Sequence, residues 1–385
     1  MKRYSVVSAL AVLPLRVIGT LIGSVTASAQ EDQSRHEPKL IEFNAPDAAT
    51  EISPACASSC GTQAFANNAE GWVVGSYTDK NVVAHGFLRS ADGQFISFDA
   101  PEAGLVHEMD DGTFPFSIND LGVVAGTVQD SGNVFHGFVR YPDGAYTTFD
   151  VPGVSNAAFQ GTQPLDINLA GATAGIYNDV NGNLHGFVRS LRGETTSYDP
   201  PGSVLTFVCE ETCLNLWGET TGYFDDMYGV GHGYVREPDG EITVFDAPGA
   251  DGFTIGASIN IEGTITGYSL DSNNVGHSFV RTRDGKFTTF DDSQAGTASG
   301  QGTFAFSINL EGAITGQFTD ANNINHGFVR GHDGKFTTID ARGAAPGVSA
   351  GTRPSTNNLR GQVAGWWVDG KGLNHGFVWI PCYEF

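Results

Sequence analysis

The sequence predicts an all-β fold, a seven-bladed β-propeller built of four-stranded blades. Three observations carry this expectation. One stretch, Asn119 to Asp150, recurs seven times with its landmarks Asn119, Gly122, Gly126, Asp130 and His136 at fixed spacing. Successive copies of the histidine stand 45 to 51 residues apart, the size of one propeller blade, and no helical pattern accompanies them. The two ends of the repeat region also complement each other. Leu40-Ile41-Glu42-Phe43-Asn44-Ala45-Pro46 matches the close of a repeat, Tyr146 to Pro152, whereas the seventh copy stops before its own closing segment. The N-terminal strand is therefore expected to complete the last blade, so that no sheet edge stays open.

Taken in order, residues 1–29 read as an export signal. Lys2 and Arg3 precede an apolar run, and Ala27-Ser28-Ala29 offers a small-residue cleavage site. Residues 30–38 form a polar leader, and residues 39–385 form a single propeller domain. The expected address is secreted or extracellular, with the periplasm or the cell surface as variants of it. Losing Lys2, Arg3 and Arg16 with the signal moves the formal net charge from −23 to −26. A surface that acidic repels phosphate backbones, which excludes nucleic acid as a partner. No later stretch is apolar enough for a membrane span, and a monomer is expected.

Within a repeat, four strands are expected. Strand a covers Thr113 to Ile118, b Val123 to Gln129, c His136 to Arg140 and d Tyr146 to Asp150. Asn119, Gly122, Asp130 and the Pro142-Asp143-Gly144 step mark the turns, where Asn, Asp and Gly are expected to supply positive φ. From the landmark Asn to the Asp closing strand d every complete copy measures 31 residues, so all length variation falls between one repeat and the next. Those unequal segments are the expected binding face.

Each repeat should hold an Asp–His–Asp row. The rows are Asp79, His85 and Asp99; Asp130, His136 and Asp150; Asp179, His185 and Asp199; Asp226, His232 and Asp246. They continue with Asp271, His277 and Asp291; Asp320, His326 and Asp340; and Asp369 and His375 with Asn44 from the chain's beginning. Seven equivalent copies argue against catalysis. A divalent cation suits these ligand types, but a hydrogen-bonded clamp across three strands is the preferred reading, with no cofactor required. The loop Asp179-Val180-Asn181-Gly182-Asn183 resembles a cation loop without its remaining ligands and is expected to be a turn.

Further regularities ask for structural roles. Arg89, Arg140, Arg189, Arg236, Arg281 and Arg330 close strand c, with Trp379 in their place in the last copy. Solvated arginines lying over an aromatic or paired with a turn Asp are expected. The Gly-Thr steps at Thr62, Thr113, Thr162, Thr303 and Thr352 open strand a, the innermost strand, and would ring the channel mouth. Cys56 with Cys60 and Cys209 with Cys213 share one spacing and read as local disulfides in preference to zinc ligands, leaving Cys382 free.

The combined pattern I-N-x-x-G-x-x-x-G-x-x-x-D-x-x-x-x-x-H-G-F, followed by D-G and F-D-x-P-G, resembles the bacterial extracellular repeats of the HAF family. The name-giving segment reads His136-Gly137-Phe138, His185-Gly186-Phe187 and His326-Gly327-Phe328, with Tyr234 and Ser278 as departures. The resemblance covers about Leu40 to Trp379 and implies an exported, propeller-shaped protein; it brings no catalytic residue with it.

No nucleophile elbow, phosphate-binding loop or zinc-protease helix is present. The first functional expectation is a binding module for a glycan, a peptide or a surface protein. The alternative is an extracellular hydrolase or lyase with loop carboxylates above the central channel. Its candidates are His107, Glu108, Asp110 and Asp111 in one inter-blade segment and Glu210 and Glu211 in another. Carboxylates from two blades converging on one pocket would favour the enzyme; a mouth of aromatics and amides would favour binding.

Overall fold

The computed structural model describes residues 37–56, 59–104, 111–208, 212–347 and 350–382. Their fold is all-β, with 28 strands in repeated four-stranded antiparallel units. The second repeat shows the plan. Strand β6 (Gly112–Ile118) pairs with β7 (Val124–Gln129), β7 with β8 (Phe135–Arg140), and β8 with β9 (Tyr146–Phe149). Strand limits differ from the sequence expectation by one residue at a time. Strand β7 is buried throughout, while outer strands such as Phe287–Phe290 expose their middle threonines, so burial on both faces belongs to the inner strands.

The registers give each unit two distinct ends. Gly112, Gln129, Phe135 and the residue after Phe149 share one end, the histidine end; Ile118, Val124, Arg140 and Tyr146 share the other. The unequal connections between repeats all leave from the histidine end. The N-terminal strand β1 (Lys39–Phe43) pairs antiparallel with β28 (Asn374–Ile380), the last described strand. Gly61 of the first repeat also bridges to Asn374.

Neighbouring units meet closely. Gly112 bridges in parallel to Ala84 of the preceding unit, and its φ is 136°. A Cβ there would lie 2.0 Å from the Ala84 carbonyl oxygen, so glycine is required on both counts. Gly126 leaves room for a ring: a Cβ would stand 2.9 Å from Phe138, which explains why this glycine travels with the His-Gly-Phe segment. Phe138 is fully buried in a cluster that also holds Val74, Leu88 and Phe98 of the first repeat. Burial of one such ring contributes roughly 2–3 kcal/mol.

A second contact type runs around the units. Each arginine closing strand c stacks on the aromatic ending strand d of the unit before it: Arg140 on Phe98 at 4.8 Å, Arg189 on Phe149 at 4.2 Å and Arg330 on Phe290 at 4.5 Å. Arg89 of the first repeat stacks at 4.8 Å on Phe43, which lies in β1. The expected solvated arginines are thus largely buried, Arg89, Arg140, Arg236 and Arg281 each below a tenth exposed. Their aliphatic stems and flat guanidinium fill the wedge between units. Where the arginine becomes Trp379, the facing aromatic becomes Ile339, and the two share one apolar cluster. Among the described residues no helix is long and apolar enough to cross a membrane.

Candidate functional site

The landmark asparagines form the innermost hydrogen-bond system. Asn119 Oδ1 accepts from the Val123 N–H, closing its own turn, and Asn119 Nδ2 donates to the Asn168 carbonyl at 3.0 Å. The step repeats from Asn68 to Asn119, Asn168 to Asn215, Asn215 to Asn260, Asn260 to Asn309 and Asn309 to Asn358. Asn358 Nδ2 then donates to the Asn68 carbonyl at 2.8 Å, returning to the start. The positive φ expected at Asn119 is not found there. Gly122 has the positive φ instead, and Asn119 and Asp130 serve as acceptors for turn N–H groups. The signal was available: the a–b turn is Asn in all seven copies and the b–c turn is Asp in all seven. Unlike an ionised carboxylate, an amide both accepts and donates.

At the histidine end the structure brings every row together. His136 Nδ1 lies 3.0 Å from Asp150, and its Nε2 lies 3.5 Å from Asp130 Oδ2. His85 has Asp99 at 2.7 Å and Asp79 at 3.9 Å. His375 has the Asn44 amide oxygen at 2.8 Å and Asp369 at 3.4 Å. Asp130 does not face His136 across the ladder; Val128 does, and Asp130 opens the turn with its Oδ1 bonded to the Gly132 and Val134 N–H groups. The hydrogen bond that His85 donates to Asp99 is the largest influence on this histidine and raises its pKa. Burial lowers that of His136, but Asp150 and Asp130 together outweigh it and the net shift is upward. Backbone N–H groups and His232 hold Asp226 below the usual carboxylate range. The five-residue loop at Asp179 is a turn of the same kind, its Oδ1 taking the Asn181 and Asn183 N–H groups. Among the described residues no three His, Cys, Asp or Glu side chains form a metal-holding group.

The Gly-Thr threonines are not at a channel mouth. Thr62, Thr113, Thr162, Thr303 and Thr352 are fully buried. Thr113 Oγ1 accepts from the Ala100 N–H at 2.9 Å, and Thr162 from Val151 at 3.0 Å, fastening the chain as it leaves strand d. The two cysteine spacings also part company. Cys56 and Cys60 are disulfide-bonded just before the first inner strand begins. Cys213 is disulfide-bonded too, but it follows the end of the fourth inner strand; Cys209 lies outside the described residues. Cys382 is free.

A cavity of about 600 Å³ is lined by the first strand of all seven repeats, joined by the second strand in repeats three to seven. Its wall holds Phe65, Phe116, Phe207, Tyr223, Phe253, Tyr268, Phe306 and Trp366, with Gln163, Gln317 and Arg353 as its polar groups. Phe207 and Tyr223 are stacked at 4.5 Å, Tyr223 meets Phe253 at 5.3 Å, and Phe65 touches both Phe116 and Trp366. The sequence device behind this wall is a bulge. Strand β6 carries one extra residue between Pro115 and Ser117, and that residue, Phe116, faces the cavity. Phe65, Leu165, Ala257 and Phe306 stand at the same step in their own repeats. In the fourth repeat four residues, 209–212, take the place of one, between Val208 and Cys213.

Beyond the bulge lies a polar girdle. Ser117 Oγ donates to Asp166 Oδ1 at 2.7 Å, and the Leu214 N–H reaches Asp166 Oδ2 at 2.9 Å. Burial, its largest influence, pushes the Asp166 carboxyl up to about 6 against those bonds. Thr212 of the fourth repeat hydrogen-bonds Ser258 and Ser307 of the fifth and sixth, and Ser307 bonds Asn357 at 3.0 Å. Side chains of the girdle thus reach across several repeats at the asparagine end, whereas the inter-repeat segments border the opposite end.

Of the expected catalytic candidates, His107, Glu108 and Asp110 lie outside the described residues, as do Glu210 and Glu211. The flanks of the last two correct their placement: they belong to the insertion within the fourth inner strand, not to a segment between blades. Asp111 is buried against the Gly104 backbone and is absent from the cavity wall. Among the described residues the wall holds aromatics, amides and Arg353, and no carboxylate.

No family model and no curated protein matches the chain. Solved structures do. A virginiamycin B lyase from Staphylococcus aureus superposes over 89% of this chain and 99% of its own, with a TM-score of 0.56 and 14% identity. A lectin, BP39L from Burkholderia pseudomallei, matches over 84% and 96%, with a TM-score of 0.53 and 9% identity. A puromycin hydrolase complexed with PGG matches 84% of this chain and 55% of its own, at 0.54 and 15%. At such identities the likeness is one of fold, the repeated four-stranded units of β-propeller proteins.

Proposed function

We propose that this chain is a secreted binding module, a closed seven-bladed propeller of the HAF-repeat kind, which takes its ligand in the central cavity from the histidine end. The composition of the cavity wall carries this reading: eight aromatic side chains, two glutamines and Arg353, without a carboxylate among the described residues. Such a wall buries a ligand and orients it, and among the described residues it offers no acid–base pair for hydrolysis or elimination. The size suits a small molecule or the end of a chain, such as a peptide or glycan terminus. Closure is supported by the asparagine cycle, by β1 on β28 and by Arg89 on Phe43. The Cys56–Cys60 disulfide accords with an oxidising compartment. The unequal segments would then act as the rim around the mouth.

The test is a glycan and peptide array probed with the purified protein, with captured ligands eluted and weighed by mass spectrometry. Intact ligands, retained equally in the presence of a chelator, are the expected result. Cleaved ligands would replace this reading with the hydrolase or lyase alternative.

A further inference from the structure

The cavity wall divides by chemistry. Two groups of touching rings stand in it: Trp366, Phe65 and Phe116 in the seventh, first and second repeats, and Phe207, Tyr223 and Phe253 in the fourth and fifth. In repeat order one glutamine falls between the groups on each side, Gln163 in the third repeat and Gln317 in the sixth. The frame asks for neither. The step that holds Gln163 is Ile255 in the fifth repeat, and the step that holds Gln317 is Ile176 in the third. Among the described residues neither glutamine side chain has a hydrogen-bond partner, whereas Arg353 already interacts within the chain. An amide offers a donor and an acceptor together, and set among apolar rings it selects a neutral group that matches both.

Resting on the cavity reading above, we infer that the cavity takes a flat, uncharged ring compound with an amide-like group at each end. The ring system lies between the two aromatic groups, held by face and edge contacts. Gln163 meets the polar group at one end and Gln317 the group at the other. A sugar fits this wall worse. It carries a hydroxyl on nearly every carbon, and the two glutamines would leave most of them unpaired.

Two fluorescent probes of similar shape test this. Naphthalene-2,6-dicarboxamide has the ring and both polar ends; 2,6-dimethylnaphthalene has the ring alone. Gln163→Ile and Gln317→Ile install residues that other repeats already carry at these steps, so the strands should tolerate them. Each variant is expected to lose roughly three- to tenfold in affinity for the dicarboxamide, the scale of a neutral hydrogen bond. Affinity for the hydrocarbon should stay within about twofold, which also shows that the wall is intact. If both probes bind and neither variant weakens the dicarboxamide, or only one does, the two-ended ligand is overturned while the binding cavity stands. The same holds if only the hydrocarbon binds. If neither probe binds the unaltered protein, the inference falls together with the reading it rests on.

Discussion

The wedge between units and the wall of the cavity are built from the same repeats, yet they use sequence in opposite ways. In the wedge the same residues recur: Asn119 and its six counterparts, the Asp–His rows, the buried Thr after Gly, the stacked Arg. On the wall the equivalent residues differ from copy to copy. At the bulge they run Phe65, Phe116, Leu165, an insertion, Ala257, Phe306 and Ser355. One step along strand b they run Ser76, Thr127, Ile176, Tyr223, Tyr268, Gln317 and Trp366. A contact between identical units needs identical partners, whereas a ligand without sevenfold symmetry needs unlike ones. Repetition therefore marks what holds the molecule together, and its local failure marks what meets a ligand.

The comparison can be broken most forcefully at the asparagines. Asn168→Ala removes the buried donor to the Asn215 carbonyl and the half-buried acceptor for the Ala172 N–H. A loss of about 2–4 kcal/mol is expected in denaturant unfolding. A smaller loss, about 1–3 kcal/mol, should follow Thr113→Val, which keeps the shape but strands the Ala100 N–H. Arg189→Met should cost about 1 kcal/mol by removing the stack on Phe149 while keeping much of the buried stem. None of the three should change affinity for a cavity probe.

The mildest effect is expected in the Asp–His rows, and it depends on pH. His85 has a folded pKa above its ordinary 6.5, so its contribution is complete below about pH 6.5 and disappears as pH rises through the folded value. Asp226 has a folded pKa below its ordinary 3.8, so its contribution is complete above about pH 4 and disappears as pH falls through the folded value. Together these two groups stabilise most between about pH 4 and pH 6.5. His85→Gln should lower the melting temperature more at pH 5.5 than at pH 8.5. An equal loss at both would mean that the row's charge contributes nothing. The Asp166 carboxyl has the same sign as the histidine: raised to about 6, it stabilises fully below about pH 4 and loses this as pH climbs through about 6. Asp166→Asn should flatten that part of the profile.

The strands were legible in the sequence to within a residue, because Asn, Asp and Gly turn signals repeat at constant spacing. The wedge was only partly legible. The His–Asp contact between strands c and d follows from hairpin pairing, but the asparagine cycle and the arginine stacks join residues about 40 to 50 positions apart in different units, and a single repeat does not reveal its neighbour's register. The cavity wall was not legible. Length variation between repeats is visible at once in the sequence. Substitution at fixed length, as from Gln163 to Arg353, becomes visible only when the bulge shows which alternate residues face inward. The fourth repeat's insertion at 209–212 was read as a connection for the same reason.

The central claim is tested most directly by measuring stability and binding together in two variants, Asn168→Ala and Trp366→Leu. Melting temperature and affinity for N-phenyl-1-naphthylamine would be recorded for each beside the unaltered protein. The account predicts that Asn168→Ala lowers the melting temperature by several degrees and keeps the affinity. Trp366→Leu should keep the melting temperature nearly unchanged and weaken binding by roughly tenfold. If both variants move both quantities together, or if binding follows the asparagine and not the tryptophan, frame and wall are not separate and the account is wrong.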